Sequence, residues 1–221
     1  MKNQKSKPSK IKEILTVLLG LCIVIGRVLL PTELGINNTT VILEILIELA
    51  ILTGVILLNK EKLAKVMKEV KKEKLGKFLK VSFILAIILI ASAIVTGLII
   101  NSLGSKPVLA SIISGFSEVL PVLGLISQII IAPITEELVF RMTLRDLIHN
   151  KFLFVVVSSL LFAFIHDWFY FSAGLLQYFI LGAVLSLLYL YKAKNIGQMI
   201  AAHSANNTFA SIAQILPKLV A

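Results

Sequence analysis

Residues 81–100, VSFILAIILIASAIVTGLII, contain no charged side chain. At about 1.5 Å of rise per residue, a helix of that length spans roughly 30 Å, the thickness of a bilayer's hydrocarbon core. Such a run has no polar face to turn toward water, so a helix here belongs in lipid. Working outward, further apolar runs lie at 14–30, 41–58, 119–140, 152–166, 171–191 and 196–216. The expectation is an all-α, polytopic transmembrane helical bundle of about seven spans. The run at 152–166 is short, and the run at 14–30 contains Arg27.

The whole composition agrees with that class. Of 221 residues 57% are hydrophobic and 15% charged, and the mean hydropathy is +0.95; a soluble domain carries about a quarter charged residues. The formal net charge of +10 does not point to nucleic acid, because the lysines cluster between apolar runs, where they meet anionic lipid and fix orientation. Cys22 stands alone in the sequence, which excludes a disulfide or thiolate cluster within the chain; a small buried hydrophobe is its expected role. The basic N-terminal tail before Ile14 resembles a signal sequence but lacks a small-x-small cleavage site before Pro31, so an uncleaved first span is expected.

Orientation follows from the loops. The tail is basic, 31–40 has no Lys or Arg, and 59–80 holds nine lysines. The 101–118 loop has Lys106, the next turn has Arg141, Arg145 and Lys151, and the last inner turn has Lys192 and Lys194. This alternation predicts a cytoplasmic N-terminus in the plasma membrane, with Trp168, Phe169 and Tyr170 in the outer aromatic belt. The 59–80 stretch also reads as an amphipathic helix on the inner leaflet, with Leu63, Val66, Met67 and Val70 on one face. Two regions are expected: 1–118, three spans with the basic loop 59–80, and 119–216, a catalytic core. Pro133 is expected to kink the fourth span.

Three polar clusters interrupt the apolar runs of that core. Glu137 and Arg141, four apart, can pair across one turn, while Glu136 is rotated about 100° away and free to point elsewhere. His166 ends the fifth run, and His203 and Asn207 share a face one turn apart. Glu136 lies 15 residues before Lys151 and His166 lies 15 after it, so a hairpin turning there sets both at one height, roughly 22 Å from the turn. His203 and Asn207 lie roughly 12 and 18 Å up the last helix. Charged groups at a helix centre cost about 2.5–3.5 kcal/mol each on insertion scales, so their concentration here marks a functional site. His149, beside Lys151, reads as a solvated loop residue. Glu44 and Glu48 read as structural partners of Arg27.

These residue types suit addition of water to an amide. Glu136 would be general base, His166 would orient the water or protonate the leaving amine, and His203 with Asn207 would donate N–H groups to the oxyanion. Two histidines and a carboxylate, His166, His203 and Glu136, could alternatively ligate Zn²⁺; a metal-independent route is preferred, since no HExxH or GxSxG motif occurs. The rival expectations are a non-proteolytic immunity or scaffold protein and a small transporter. Against transport, no inverted repeat is visible.

Glu136-Glu137 with Arg141, then Phe162 with His166, then His203 with Asn207 resemble, in that order, the motifs of the CPBP or Abi family of intramembrane endopeptidases, which includes type II CAAX prenyl proteases and bacteriocin-processing proteins. The resemblance covers about 119–210, with a helix containing Gly182 and the turn Lys192 to Gly197 before the last motif. It implies that Glu136 activates water, His166 assists, His203 and Asn207 form the oxyanion site, and Arg141 holds Glu137. Where many relatives have Gly after the motif Arg, this chain has Met142. The family's cavity opens to the cytosol, which implies that 142–150 extend the fourth helix below the membrane. Substrates implied are peptide precursors or membrane-anchored proteins, in bacteriocin self-immunity or peptide maturation, and relatives have been described as metalloproteases.

Overall fold

The computed structural model describes residues 10–24, 26, 29–102, 120–167 and 174–220, without the side chains of 31, 32 and 214–220. Arg27, Lys106, the aromatic trio Trp168, Phe169 and Tyr170, and most of the 101–118 loop lie outside these residues. The protein is an all-α, polytopic membrane helical bundle. The described helices are α1 (Lys10–Leu21), α2 (Leu30–Leu34), α3 (Asn38–Leu58), α4 (Lys60–Lys72), α5 (Leu75–Ser102), α6 (Pro121–Leu147), α7 (Lys151–Asp167), α8 (Gly174–Tyr191) and α9 (Ile196–Val220).

Four of the described helices, α3, α5, α6 and α8, with 21, 28, 27 and 18 residues, are long and apolar enough to cross a membrane. Seven segments were expected; among the described residues the other three runs give helices that do not meet that length and hydropathy. The 14–30 run yields an α1 of 12 residues, about 18 Å long. The 152–166 run yields α7, 17 residues, about 26 Å. The third, α9, has 25 residues, but Gln198, His203, Ser204, Asn206 and Asn207 dilute its apolar character.

A hydrophobic core runs through the bundle, built from Val55, Leu85, Leu89, Leu138, Phe162, Leu185 and Met199 among others. It draws on residues on both sides of position 118. Large apolar side chains also face outward, with Phe83 66%, Leu98 66% and Phe152 78% exposed; in water such a belt would aggregate, and in lipid it is solvated. Cys22, expected to be buried, is exposed, and its Sγ donates to the Leu18 carbonyl at 3.4 Å. His149 is exposed in the α6–α7 turn.

The basic stretch divides in two. Lys60–Lys72 form α4, which has no buried residue, while Lys74 ends the break before α5 and Lys77 and Lys80 fall in that helix. Leu63 and Val66 pack against the core and Met67 is exposed. Side chains fasten both ends of α4 to the core half of the chain. Lys62 Nζ donates to the Met142 carbonyl (2.7 Å) and pairs with Asp146. Just past the helix, Glu73 accepts from Asn195 Nδ2 (2.9 Å) and Gln198 Nε2 (3.0 Å).

Candidate active site

The acidic motif stands on α6, whose hydrogen-bond register changes twice. Ser127–Ile131 and Glu137–Thr143 are π-helical, separated by the α-helical Ala132–Glu136. Proline at 133 removes one backbone donor, and it follows the first wide turn directly. In the second stretch the Leu144 N–H bonds the Val139 carbonyl, and the Thr143 hydroxyl caps the Leu138 carbonyl at 2.8 Å. Every residue from Glu137 to Thr143 is buried. Met142 packs into the core at 1% exposure.

Glu136, 2% exposed, faces two imidazoles. Its Oε1 lies 3.9 Å from His166 Nε2 and its Oε2 lies 3.8 Å from His203 Nε2. The matched heights expected from the α6–α7 hairpin are thus met by a side-chain approach. Each ring is oriented by its other nitrogen. His166 Nδ1 is 2.7 Å from the Phe162 carbonyl, an acceptor, so Nδ1 carries the proton. His203 Nδ1 is 2.9 Å from Glu137 Oε1 and by the same reasoning donates to it. With Nδ1 engaged in each ring, Nε2 faces the Glu136 carboxylate. Separations of 3.8–3.9 Å exceed a direct hydrogen bond, and a bridging water fits them.

Glu137 was expected to pair with Arg141, leaving Glu136 free of that contact. Arg141 Nε does lie 3.7 Å from Glu137 Oε2, with both side chains fully buried. The guanidinium also sits 4.7 Å over the Phe162 ring, and its Nη2 donates to the Gly182 carbonyl at 3.4 Å. A desolvated cation over an aromatic face gains about 2 kcal/mol, which helps offset its burial. The two carboxylates are not separated by their rotation around the helix, however. His203 reaches both, one through each ring nitrogen.

Asn207 is placed differently. Its Nδ2 donates to the Gln128 carbonyl at 2.9 Å, in the first π-helical stretch, and a second N–H on the same nitrogen remains for another acceptor. Gln128 also receives the Ser211 hydroxyl through Oε1 at 3.1 Å. Sequence reasoning missed Gln128, whose contribution is a backbone atom. It also missed Tyr178, whose ring stacks on His166 with centroids 4.5 Å apart. The 171–191 run also holds Tyr189 and Tyr191, so nothing in the sequence singled out Tyr178.

Glu48 lies on α3 and accepts from Ser127 Oγ at 2.5 Å. Glu44 and Glu48 are 3% and 1% exposed; their expected partner, Arg27, lies outside the described residues. The zinc alternative requires Glu136, His166 and His203 to converge at about 2 Å on one ion. Among the described residues no three His, Cys, Asp or Glu side chains are grouped closely enough to hold a metal ion.

Comparison with known proteins supplies an independent line. The UPF0177 protein YxdF of Lactococcus lactis subsp. lactis (strain IL1403) is 36% identical over 100 residues, 43% of this chain and 55% of that protein. The chain therefore spans about half the length of the curated relative it matches. No solved structure matches it. Residues 118–209 match the family model for Rce1-like, type II CAAX prenyl endopeptidases. The buried network of Glu136, His166 and His203 is consistent with a protease active site. The part of the chain that carries this network, with Glu137, Arg141 and Asn207, thus matches the Rce1-like family of type II CAAX prenyl endopeptidases, the family that its motifs resemble.

Proposed function

We propose that the protein is an intramembrane endopeptidase in which Glu136 activates a water for attack on a peptide carbonyl. The observation that carries this reading is the carboxylate of Glu136 set 3.9 and 3.8 Å from two imidazole Nε2 atoms, inside a bundle that excludes bulk solvent. A water held between Glu136 and His166 gives its proton to the carboxylate as its oxygen bonds to the carbonyl carbon. The carbonyl π electrons move onto oxygen. His203 with both nitrogens protonated, Nδ1–H on Glu137, donates Nε2–H to that oxyanion, and Asn207 adds its second amide N–H. The carbon–nitrogen bond then breaks as the oxyanion collapses, and Glu136 returns the proton to the departing amine. Each oxyanion donor in analogous sites is worth about 3–4 kcal/mol.

Glu137 and Arg141 act as positioning residues, with Arg141 anchoring the carboxylate that orients His203. We assign the N-terminus to the cytoplasm of the plasma membrane by the positive-inside rule, and the cavity to the cytosolic side by the family resemblance. The substrate class that fits is a peptide precursor or the tail of a membrane-anchored protein, in peptide maturation or bacteriocin self-immunity.

Quantitative mass spectrometry of membrane-derived peptides tests the proposal, with cells carrying the wild-type chain compared with cells carrying Glu136→Gln at equal membrane abundance. Cleavage products should vanish with the substitution. Immunity or product profiles unchanged by Glu136→Gln would replace proteolysis with binding as the protein's activity.

A further inference from the structure

α5 and α9 begin at the same end of the bundle. A Cβ added to Gly197 would stand 3.4 Å from the Phe78 ring, which fixes their starts side by side. Between them lies a groove of about 470 Å³, lined by Leu79, Lys80, Ser82, Phe83, Ala201 and Ala205. From Leu79 its apolar wall extends along α5 to Ala86, roughly 10 Å in the direction of the helix axis. Ser82 is 7% exposed, and its Oγ has no hydrogen-bond partner among the described residues.

Lys80 lines the groove, Lys77 stands one turn before it on α5, and Lys194 comes from the turn before α9; all three are exposed. The Lys77 and Lys194 side chains approach each other closely, and this proximity with its like-charge repulsion lowers the Lys194 pKa, against the opposing pull of Glu73. Two ammonium groups brought together from a helix and a turn are relieved by a further anion. Acidic lipid is the anion that also fills an apolar channel, and basic pockets between membrane helices suit such headgroups.

We propose that the groove between α5 and α9 binds one anionic phospholipid, its phosphate held by Lys77, Lys80 and Lys194 and its acyl chain lying along Leu79, Phe83 and Ala201. A free phosphate would use only the charged mouth and leave the apolar groove without a role.

Native mass spectrometry of the full chain in mild detergent, titrated with phosphatidylglycerol or phosphatidylcholine, tests the site. One phosphatidylglycerol should bind in preference to phosphatidylcholine. At about fivefold per lysine, Lys77→Gln/Lys80→Gln/Lys194→Gln should weaken it by roughly 100-fold. Ala201→Phe keeps every charge and fills the channel, and it should also prevent binding. The charge-matched control Lys65→Gln/Lys68→Gln/Lys71→Gln, on the exposed face of α4, should bind as the wild type does. Equal loss in that control would reduce the site to diffuse surface charge. Equal retention of phosphatidylcholine, undiminished binding in both groove variants, or displacement by inorganic phosphate would each overturn the assignment.

Discussion

His203 donates its Nδ1–H to Glu137 Oε1 across 2.9 Å, and this bond decides which face of the imidazole meets Glu136. A carboxylate only accepts, so the proton is committed to Nδ1 and Nε2 is turned to the second carboxylate, 3.8 Å away. Two adjacent glutamates thereby take different parts. One orients a ring, and the other confronts the space between two rings.

That division predicts opposite outcomes for like substitutions. Glu136→Gln should abolish hydrolysis while leaving the unfolding midpoint in detergent close to wild type. Glu137→Gln keeps an oxygen to accept from His203 but strips the charge opposite Arg141, which is fully buried. Breaking a buried pair on one side costs about 3–5 kcal/mol, so this variant should be lost mainly through stability, seen in the midpoint and in membrane yield. If Glu136→Gln destabilises as much as Glu137→Gln, Glu136 is a structural residue and the assignment of general base fails.

Much of this arrangement was legible in sequence because it depends on helical spacing. Glu137 and Arg141 pair as residues four apart should, and Glu136 meets His166 because both are equidistant from Lys151. Spacing cannot report a change of helical register, so the π-helical Glu137–Thr143 was invisible, and with it the sharing of His203 by both glutamates. Nor can it report backbone partners such as the Gln128 carbonyl. Among the described residues four helices are long and apolar enough to cross a membrane, against the seven runs that hydropathy marks.

Asn207→Ala should lower kcat by about 10²–10³ with a small change in KM, the signature of an interaction made in the transition state. The amide also holds the Gln128 carbonyl, so stability must be followed in parallel. Loss of the midpoint with kcat within about threefold of wild type would make Asn207 a clamp on the π-helical stretch and remove it from the oxyanion site.

Helix α1 packs against the second π-helical stretch through Gly20. A Cβ there would fall 2.6 Å from Val139 Cγ1 and 2.7 Å from Cγ2, well inside contact distance. Gly20→Ala should therefore destabilise the bundle by about 1–3 kcal/mol, as overpacking does, and Val139→Ala should recover part of that loss. A double-mutant cycle on unfolding in detergent measures the coupling. Additive losses would mean that the two helices do not meet at this point.

Gly182 brings α8 against α7 in the same manner. Its added Cβ would stand 3.0 Å from Ser159 Cα and 3.2 Å from Phe162 Cβ, and its carbonyl accepts from Arg141. Gly182→Ala should shift Phe162, which carries the His166 contact on its carbonyl and Arg141 on its ring. The expected result is a fall in kcat exceeding the loss of stability. Wild-type kcat in Gly182→Ala would show that the site tolerates movement of Phe162.

Glu13 offers a test outside the long apolar helices. Burial, and then the nearby Asp146 carboxylate, raise its pKa above the ordinary 4.5, against the opposing pull of Lys62, His149 and Lys10. The folded chain therefore keeps this proton at pH values where the unfolded chain has released it. Stability must fall as pH rises from about 4.5 through the folded pKa and then level off, because the folded state binds more protons in that window. Glu13→Gln has no proton to release, so its midpoint in detergent should gain on the wild type across that range and hold a constant lead above it. Subtracting the two curves removes the titration of every other carboxyl group. A lead that instead grows as the pH is lowered would mean that the folded state stabilises the Glu13 carboxylate, and that Lys62 and Lys10 outweigh burial and Asp146.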